Sequence, residues 1–163
     1  MSDKNKIKDI AGLLGRLAVA GVFIYAGLIK LLAPVEEFAY AIETYKVTGP
    51  QLSLWAAYVM PWLEFFSGLL LACGIFTRFN ALLCGAMLVF FEALLAQAWL
   101  RGLPVTSCGC FGSGGSNSLP VEFAQNLVFL ALAWAAFRYG GRFSADAVIQ
   151  APAPGPVLGK FGK

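Results

Sequence analysis

Four stretches of this chain, about 11–33, 53–76, 79–100 and 121–137, are nearly unbroken runs of apolar residues. A bilayer core is about 30 Å thick, and a helix needs roughly 20 apolar residues to cross it. Inside that core each backbone N–H and C=O must find its partner within the fold, and an unbroken apolar run of this length does so as a helix. The runs therefore predict an all-α membrane protein, a four-transmembrane-helix bundle. Composition agrees: of 163 residues, 59% are apolar and only 13% charged, against about 25% charged in an ordinary soluble domain. The expected organisation is a polar N-terminus over 1–10, one membrane unit over 11–139, and a tail over 140–163. The proline-rich stretch Ala151–Pro156 makes that tail an extended or disordered end. The opening segment carries lysines and no Ala-x-Ala-type cleavage site, so the first run reads as a retained helix rather than a signal peptide.

An even number of crossings puts both termini on one side. Basic residues favour the cytoplasmic side. With the termini there, nine residues lie inside (Lys4, Lys6, Lys8, Arg16, Arg78, Arg138, Arg142, Lys160 and Lys163), and Lys30, Lys46 and Arg101 lie outside. The expected location is a bacterial inner membrane, multi-pass, with both termini cytoplasmic. The net charge of +3 comes from the chain ends and is no nucleic-acid footprint; the partner that the apolar runs imply is the lipid bilayer. Between the first two runs, Phe38, Ile42 and Tyr45 recur at helical spacing. They predict a short amphipathic helix on the outer surface between helices 1 and 2, ended by Gly49-Pro50. Pro61 is expected to kink the second helix. The Arg78–Asn80 link leaves room only for a tight hairpin between the second and third helices.

The chain has no histidine. That removes His-ligated haem, His-based zinc or copper sites and histidine general-base chemistry. The chemistry that remains is thiol chemistry. Cys108-Gly-Cys110 lies in the outer loop, a compartment where disulfides persist. A disulfide across one residue closes a small, strained ring that is comparatively easy to reduce, and Gly109 supplies backbone freedom for it. Such a pair suits electron transfer. Alternatives are a loop-tightening bridge, or two thiolates holding a soft ion such as Cu(I) or Hg(II). Cys73 and Cys84 are expected at equal depth about the inner turn. They form either a second redox pair or two small buried hydrophobes.

Charges inside a membrane are costly and mark functional sites. Glu64 and Glu92 are expected level with one another, about 21 Å from the inner turn. Lys30 falls in the same outer layer as a partner for either. Gln97, Arg101, Glu122, Gln125 and Asn126 extend that layer, with inter-helix hydrogen bonding as the alternative role for Gln97, Gln125 and Asn126. Reaction at Cys108/Cys110 needs a thiolate. Arg101, with Lys30, would favour it, and Glu64 or Glu92 would move protons or hold a quinone oxygen. Trp62 and Phe65 would flank a quinone ring, or simply pack; Trp55, Trp99, Trp134 and Tyr139 read as interfacial belts.

Two segments resemble DoxX-type membrane proteins: Gly21–Leu31 with Lys30, followed by Pro34, and Pro61-Trp62-Leu63-Glu64 with Gly68 and Gly74–Arg78. Arg101-Gly102, Cys108-Gly-Cys-Phe-Gly112 and Asn126 resemble the MauE branch, named for methylamine utilisation and described as redox-associated. The resemblance covers about 13–136. It implies a four-helix bundle that works beside a periplasmic thioredoxin-fold protein in disulfide handling. The broader analogy is to quinone-linked disulfide enzymes, with Trp62 and Asn126 as candidates for holding a quinone. Those enzymes use two outer thiol pairs, and here only Cys108/Cys110 lies outside. The leading expectation is a thiol–disulfide redox protein, an oxidoreductase or its dedicated subunit, passing electrons between that partner and a membrane acceptor. The competing expectations are a soft-metal carrier and a structural subunit of a membrane complex.

Overall fold

The computed structural model describes residues 3–103, 119–141 and 144–149. They form six helices and, among the described residues, no strand: α1 (Asp3–Leu32), α2 (Val35–Thr44), α3 (Pro50–Cys73), α4 (Thr77–Leu100), α5 (Leu119–Tyr139) and α6 (Ala145–Ile149). Four of them, α1, α3, α4 and α5, are long and apolar enough to cross a membrane. The helices run up, down, up and down. Each packs along its sequence neighbours, and α5 closes the ring against α1, leaving α1 and α4 across the diagonal. One end carries the start of α1 and the end of α5 and is called the termini end. The other carries α2 and the connection from α4 to α5 and is called the loop end.

Lipid tails offer no hydrophobic drive to bring apolar helices together, so small residues that let backbones approach do that work. At the α1–α3 crossing, a Cβ at Gly27 would lie 2.8 Å from the Pro61 carbonyl oxygen, and one at Gly68 2.9 Å from the Ile24 nitrogen. The interior is filled by Val19, Ala20, Phe23, Leu71, Cys84, Met87 and Leu88, with Ala133 and Ala136 from α5. Outward positions such as Leu17, Leu28, Trp55, Trp62, Phe66, Val89 and Trp134 keep large apolar surface for the bilayer.

Several boundaries differ from those expected. The first helix starts at Asp3 rather than near 11, because Lys4–Asp9 holds no glycine or proline to break it. Gly49-Pro50 opens α3 rather than closing α2, with proline at the first helical turn, where its missing N–H costs nothing. Pro61 lies inside α3, as a membrane helix tolerates. The beginning of the tail holds α6.

The largest difference is the turn between α3 and α4. It is Gly74–Phe76, about three residues earlier than expected. Gly74 takes the left-handed conformation (φ 71°), and its N–H and that of Ile75 bond back to the Leu71 and Leu70 carbonyls, closing α3. The shift is doubled in any depth comparison across the hairpin. Cys73 is the last residue of α3, whereas Cys84 lies seven residues into α4, so they are about 10 Å apart in depth. Cys84 is buried against Ser67, Sγ to Oγ 3.7 Å, and Cys73 is exposed. Both are free thiols, and the level pair expected from the sequence does not form. Glu64 and Glu92 lie nine and fifteen residues from the turn, hence about 9 Å apart in depth rather than level.

Candidate functional site

Lys30 occupies the last turn of α1, and Glu64 faces it from α3. The Lys30 ammonium donates to both Glu64 oxygens at 2.7 Å, and the two side chains are 2% and 3% exposed. A lone charge at this depth would be costly. The bidentate pair brings charge into the bundle by supplying each ion with its counter-ion. The site lies beside the Gly27 and Gly68 approach, where α1 and α3 are closest, and the aromatic rings of Phe38 and Phe91 complete the surroundings of the ammonium, 4.9 and 5.7 Å from Nζ to the ring centres. Both contacts lie within cation–π range.

Phe38 and Phe91 also belong to the wall of a cavity of about 260 Å³ enclosed by α2, α3 and α4. Its lining is apolar: Ile42, Leu52, Met60 and Leu94 stand with the two phenylalanines, and the polar groups at its edge are Tyr45 and Thr48. The Thr48 hydroxyl lies 2.8 Å from that of Ser53. The amphipathic face of α2, Phe38 with Ala41 and Ile42, therefore covers a cavity in the bundle. Glu36 and Glu37 on its other side are exposed.

The same cavity approaches the C-terminal end of α4. Tyr45 and Leu94 are in its wall, and both belong to a cluster with Ala98 and Leu103. Leu103 is the last described residue before Cys108 and Cys110, which lie outside the described residues. Five residues of extended chain reach at most about 18 Å, so Cys108 is tethered within that distance of Leu103. Arg101 is exposed at the C-terminal end of α4, ahead of a left-handed Gly102.

A second polar group lies nearer the loop end, between α4 and α5. Asn126 is 5% exposed and faces Glu92. Neither the amide nitrogen nor the two Glu92 oxygens, all three buried, makes a hydrogen bond of good geometry, and the side-chain amide of Gln97 is likewise unpartnered. Asn126 and Glu64 share the wall of a small cavity of about 20 Å³. Of the residues named from sequence, Lys30 and Glu64 thus meet directly, Asn126 stands between Glu64 and Glu92, and Glu92 joins no ion pair among the described residues. Trp62 is half exposed on the outer face of α3, stacked on Phe66 at 5.7 Å, and lines none of these cavities. The α2 cavity itself was missed. Its signal was present in the Phe38, Ile42 and Tyr45 stripe, which fits a covered cavity as well as a lipid surface.

The termini end carries a different network. The Asp146 carboxylate on α6 accepts the backbone N–H groups of Phe76 and Thr77, at 2.9 and 2.8 Å, and so caps α4 from a distant part of the chain. Those bonds, Thr77's first, together with the charge of Arg16, hold the Asp146 carboxyl below the usual carboxylate range despite its partial desolvation. Arg16, buried in α1, donates to the Gly140 carbonyl at 3.0 Å.

No solved structure matches this chain. A curated relative, the methylamine utilization protein MauE of Paracoccus denitrificans, is 34% identical over 123 residues, which cover 74% of this chain and 64% of the relative. The chain thus spans a little under two thirds of the relative's length. The family model of methylamine utilisation protein MauE matches residues 8–139, from the first turns of α1 to the end of α5. With the whole membrane bundle inside that match, the chain belongs to the MauE family.

Proposed function

We propose that this chain is a membrane thiol–disulfide redox protein of the bacterial inner membrane. In this reading Cys108 and Cys110 exchange electrons with a periplasmic thioredoxin-fold partner on one side and a membrane-soluble acceptor on the other. Kinship to the wider DoxX-type proteins belongs to the same reading, and so does a role in methylamine utilisation, the process that names the family and its relative. One observation carries it. The apolar cavity walled by Phe38 and Phe91 has the buried Lys30–Glu64 pair on one side and the root of the Cys-Gly-Cys loop, through Tyr45 and Leu94, on the other. Bundles held together by packing alone have little use for a desolvated ion pair beside a cavity. The nine-to-three distribution of basic residues supports cytoplasmic termini and a periplasmic dithiol. Arg101 sits at the start of the loop, where its charge favours the thiolate form on which exchange depends.

The decisive experiment is redox trapping. Membranes containing the full chain are quenched in acid, and free thiols are alkylated with a reagent that adds mass. Cys108 and Cys110 should change together between dithiol and disulfide as respiration is switched on and off, while Cys73 and Cys84 stay reduced. A Cys110→Ser variant should accumulate a mixed disulfide with a periplasmic thioredoxin-fold protein. If Cys108 and Cys110 keep one state under both conditions and no mixed disulfide forms, the reading is wrong.

A further inference from the structure

We propose that the termini end carries a binding site for the phosphate headgroup of an anionic phospholipid, built from Arg78 at the start of α4 and Arg138 at the end of α5. The inference is independent of the redox reading and needs only that the bundle lies in a bilayer.

Helices α4 and α5 pack antiparallel, so the first turn of one lies beside the last turn of the other. Arg78 and Arg138 therefore reach one level from two helices. Both stand in the wall of an open groove of about 810 Å³, with Phe79, Tyr139 and Ile149. Both are exposed, and neither guanidinium makes an ion pair or a hydrogen bond among the described residues. The two carboxylates in the same wall leave them open. Asp146 gives one oxygen to each of the Phe76 and Thr77 N–H groups and feels the charge of Arg16, and Asp9 is engaged as well. A guanidinium presents a planar fork of N–H donors that matches phosphate oxygens. Two such forks, without counter-ions, share one rim.

The helix faces behind the arginines select a lipid over a free anion. Leu82 and Val89 follow Arg78 by four and eleven residues, and Trp134 and Leu127 precede Arg138 by the same intervals. At 3.6 residues per turn these intervals keep one helix face, and all four residues are exposed. Each arginine thus heads an apolar stripe that looks into the bilayer. A phosphate at the rim with acyl chains along the stripes satisfies both parts of the surface, whereas inorganic phosphate satisfies one. Trp134 and Tyr139 are residues that favour the headgroup level, and Tyr139 lies in the groove wall. Basic pockets between helices at a membrane surface are suited to anionic headgroups for the same reason.

The test is native mass spectrometry of the full chain in detergent. Dioleoyl phosphatidylglycerol competes against dioleoyl phosphatidylcholine, which has the same chains and no net charge. One phosphatidylglycerol should bind per chain. A basic residue near a membrane surface is worth about fivefold in affinity for an anionic lipid, so the two arginines should give a preference of roughly thirtyfold. Arg78→Gln and Arg138→Gln should each reduce it to about fivefold, and the Arg78→Gln/Arg138→Gln double variant should abolish it, with no change in the thermal midpoint of the lipid-free protein. Arg78→Lys/Arg138→Lys keeps the charge without the fork and should fall between wild type and the double glutamine variant. Lys6→Gln/Lys8→Gln removes as much charge from the same end but outside the groove wall, and should keep the preference. An arginine double variant that discriminates like wild type would overturn the site. So would a Lys6→Gln/Lys8→Gln variant that loses as much, because diffuse positive charge would then do the binding. Displacement of the lipid by an equal concentration of inorganic phosphate would give the rim to a free anion and overturn the lipid assignment.

Discussion

The two halves of the bundle handle buried polarity in opposite ways. At the termini end, charge is tied to backbone: Arg16 donates to the Gly140 carbonyl, and Asp146 holds the first N–H groups of α4. Such contacts fasten helix ends, where backbone groups always lack intrahelical partners. Toward the loop end, Lys30 is tied to the opposite charge of Glu64, and neither Glu92 oxygen makes a hydrogen bond of good geometry. The cavity walled by Phe38 and Phe91 and the small one lined by Glu64 and Asn126 lie in this half too. A fold that only needed to span a membrane has reason for the first arrangement and none for the second. What the difference teaches is where to look for chemistry: in polar groups that no helix terminus requires.

The ion pair should give the largest single effect. Removing one member leaves a buried charge with no counter-ion, a loss of about 3–5 kcal/mol in comparable pairs. Lys30→Met and Glu64→Gln should each lower the thermal midpoint and folded yield sharply. The Lys30→Met/Glu64→Gln double variant should recover much of both, because it removes the second charge along with the first. If the double variant is no better than the worse single variant, the pair is not the reason these charges are tolerated.

This pairing was legible in the sequence because physics leaves few choices. A lysine and a glutamate in one membrane layer must find each other or be neutralised. The four spans were legible for a similar reason, since bilayer thickness fixes their length. The turn between α3 and α4 was not. Phe76 adopts a left-handed backbone (φ 46°), uncommon for a residue with a Cβ, and it is held there by Asp146, some seventy residues later. Ser144-Ala-Asp146 after two glycines does look like a helix start, and the Ser144 hydroxyl does accept the Ala147 N–H at 3.3 Å. Nothing local says that the new helix will cap another one. The α2 cavity was hidden likewise, because an apolar stripe reads the same whether it faces lipid or covers a void.

An intermediate effect is expected at that distant cap. Asp146→Ala removes an acceptor of two α4 N–H groups, and capping residues are worth on the order of 1 kcal/mol. The pH dependence has a defined sign. The folded carboxyl is depressed by the Thr77 and Phe76 N–H groups and by Arg16. Its stabilisation is therefore complete above the ordinary carboxylate range, near pH 3.9, and is lost as pH falls through the lower folded value. The difference in thermal midpoint between wild type and Asp146→Ala should be largest at neutral pH and shrink in acid. A gap that widens in acid would mean the carboxyl acts as a donor, not as a cap.

The smallest change should come from the other membrane glutamate. Glu64 and Glu92 are both carboxyls with buried oxygens, and on composition alone their substitution would be judged equal. Their partners are not. Glu64→Gln strands the Lys30 ammonium, whereas Glu92→Gln breaks no ion pair and no hydrogen bond of good geometry. An amide has nearly the shape of a carboxyl, and it can still meet the facing Asn126 amide, so the usual penalty for stranding a partner is small. Glu92→Gln should therefore stay within about 0.5 kcal/mol of wild type. Asn126→Leu in the same background tests whether the facing amide contributes, and should add little to the effect of Asn126→Leu alone. The reading is sunk by a Glu92→Gln loss as large as that of Glu64→Gln. Such a loss would mean that Glu92 carries a partner of equal strength, and that charge in the loop-end half is as firmly tied down as at the termini.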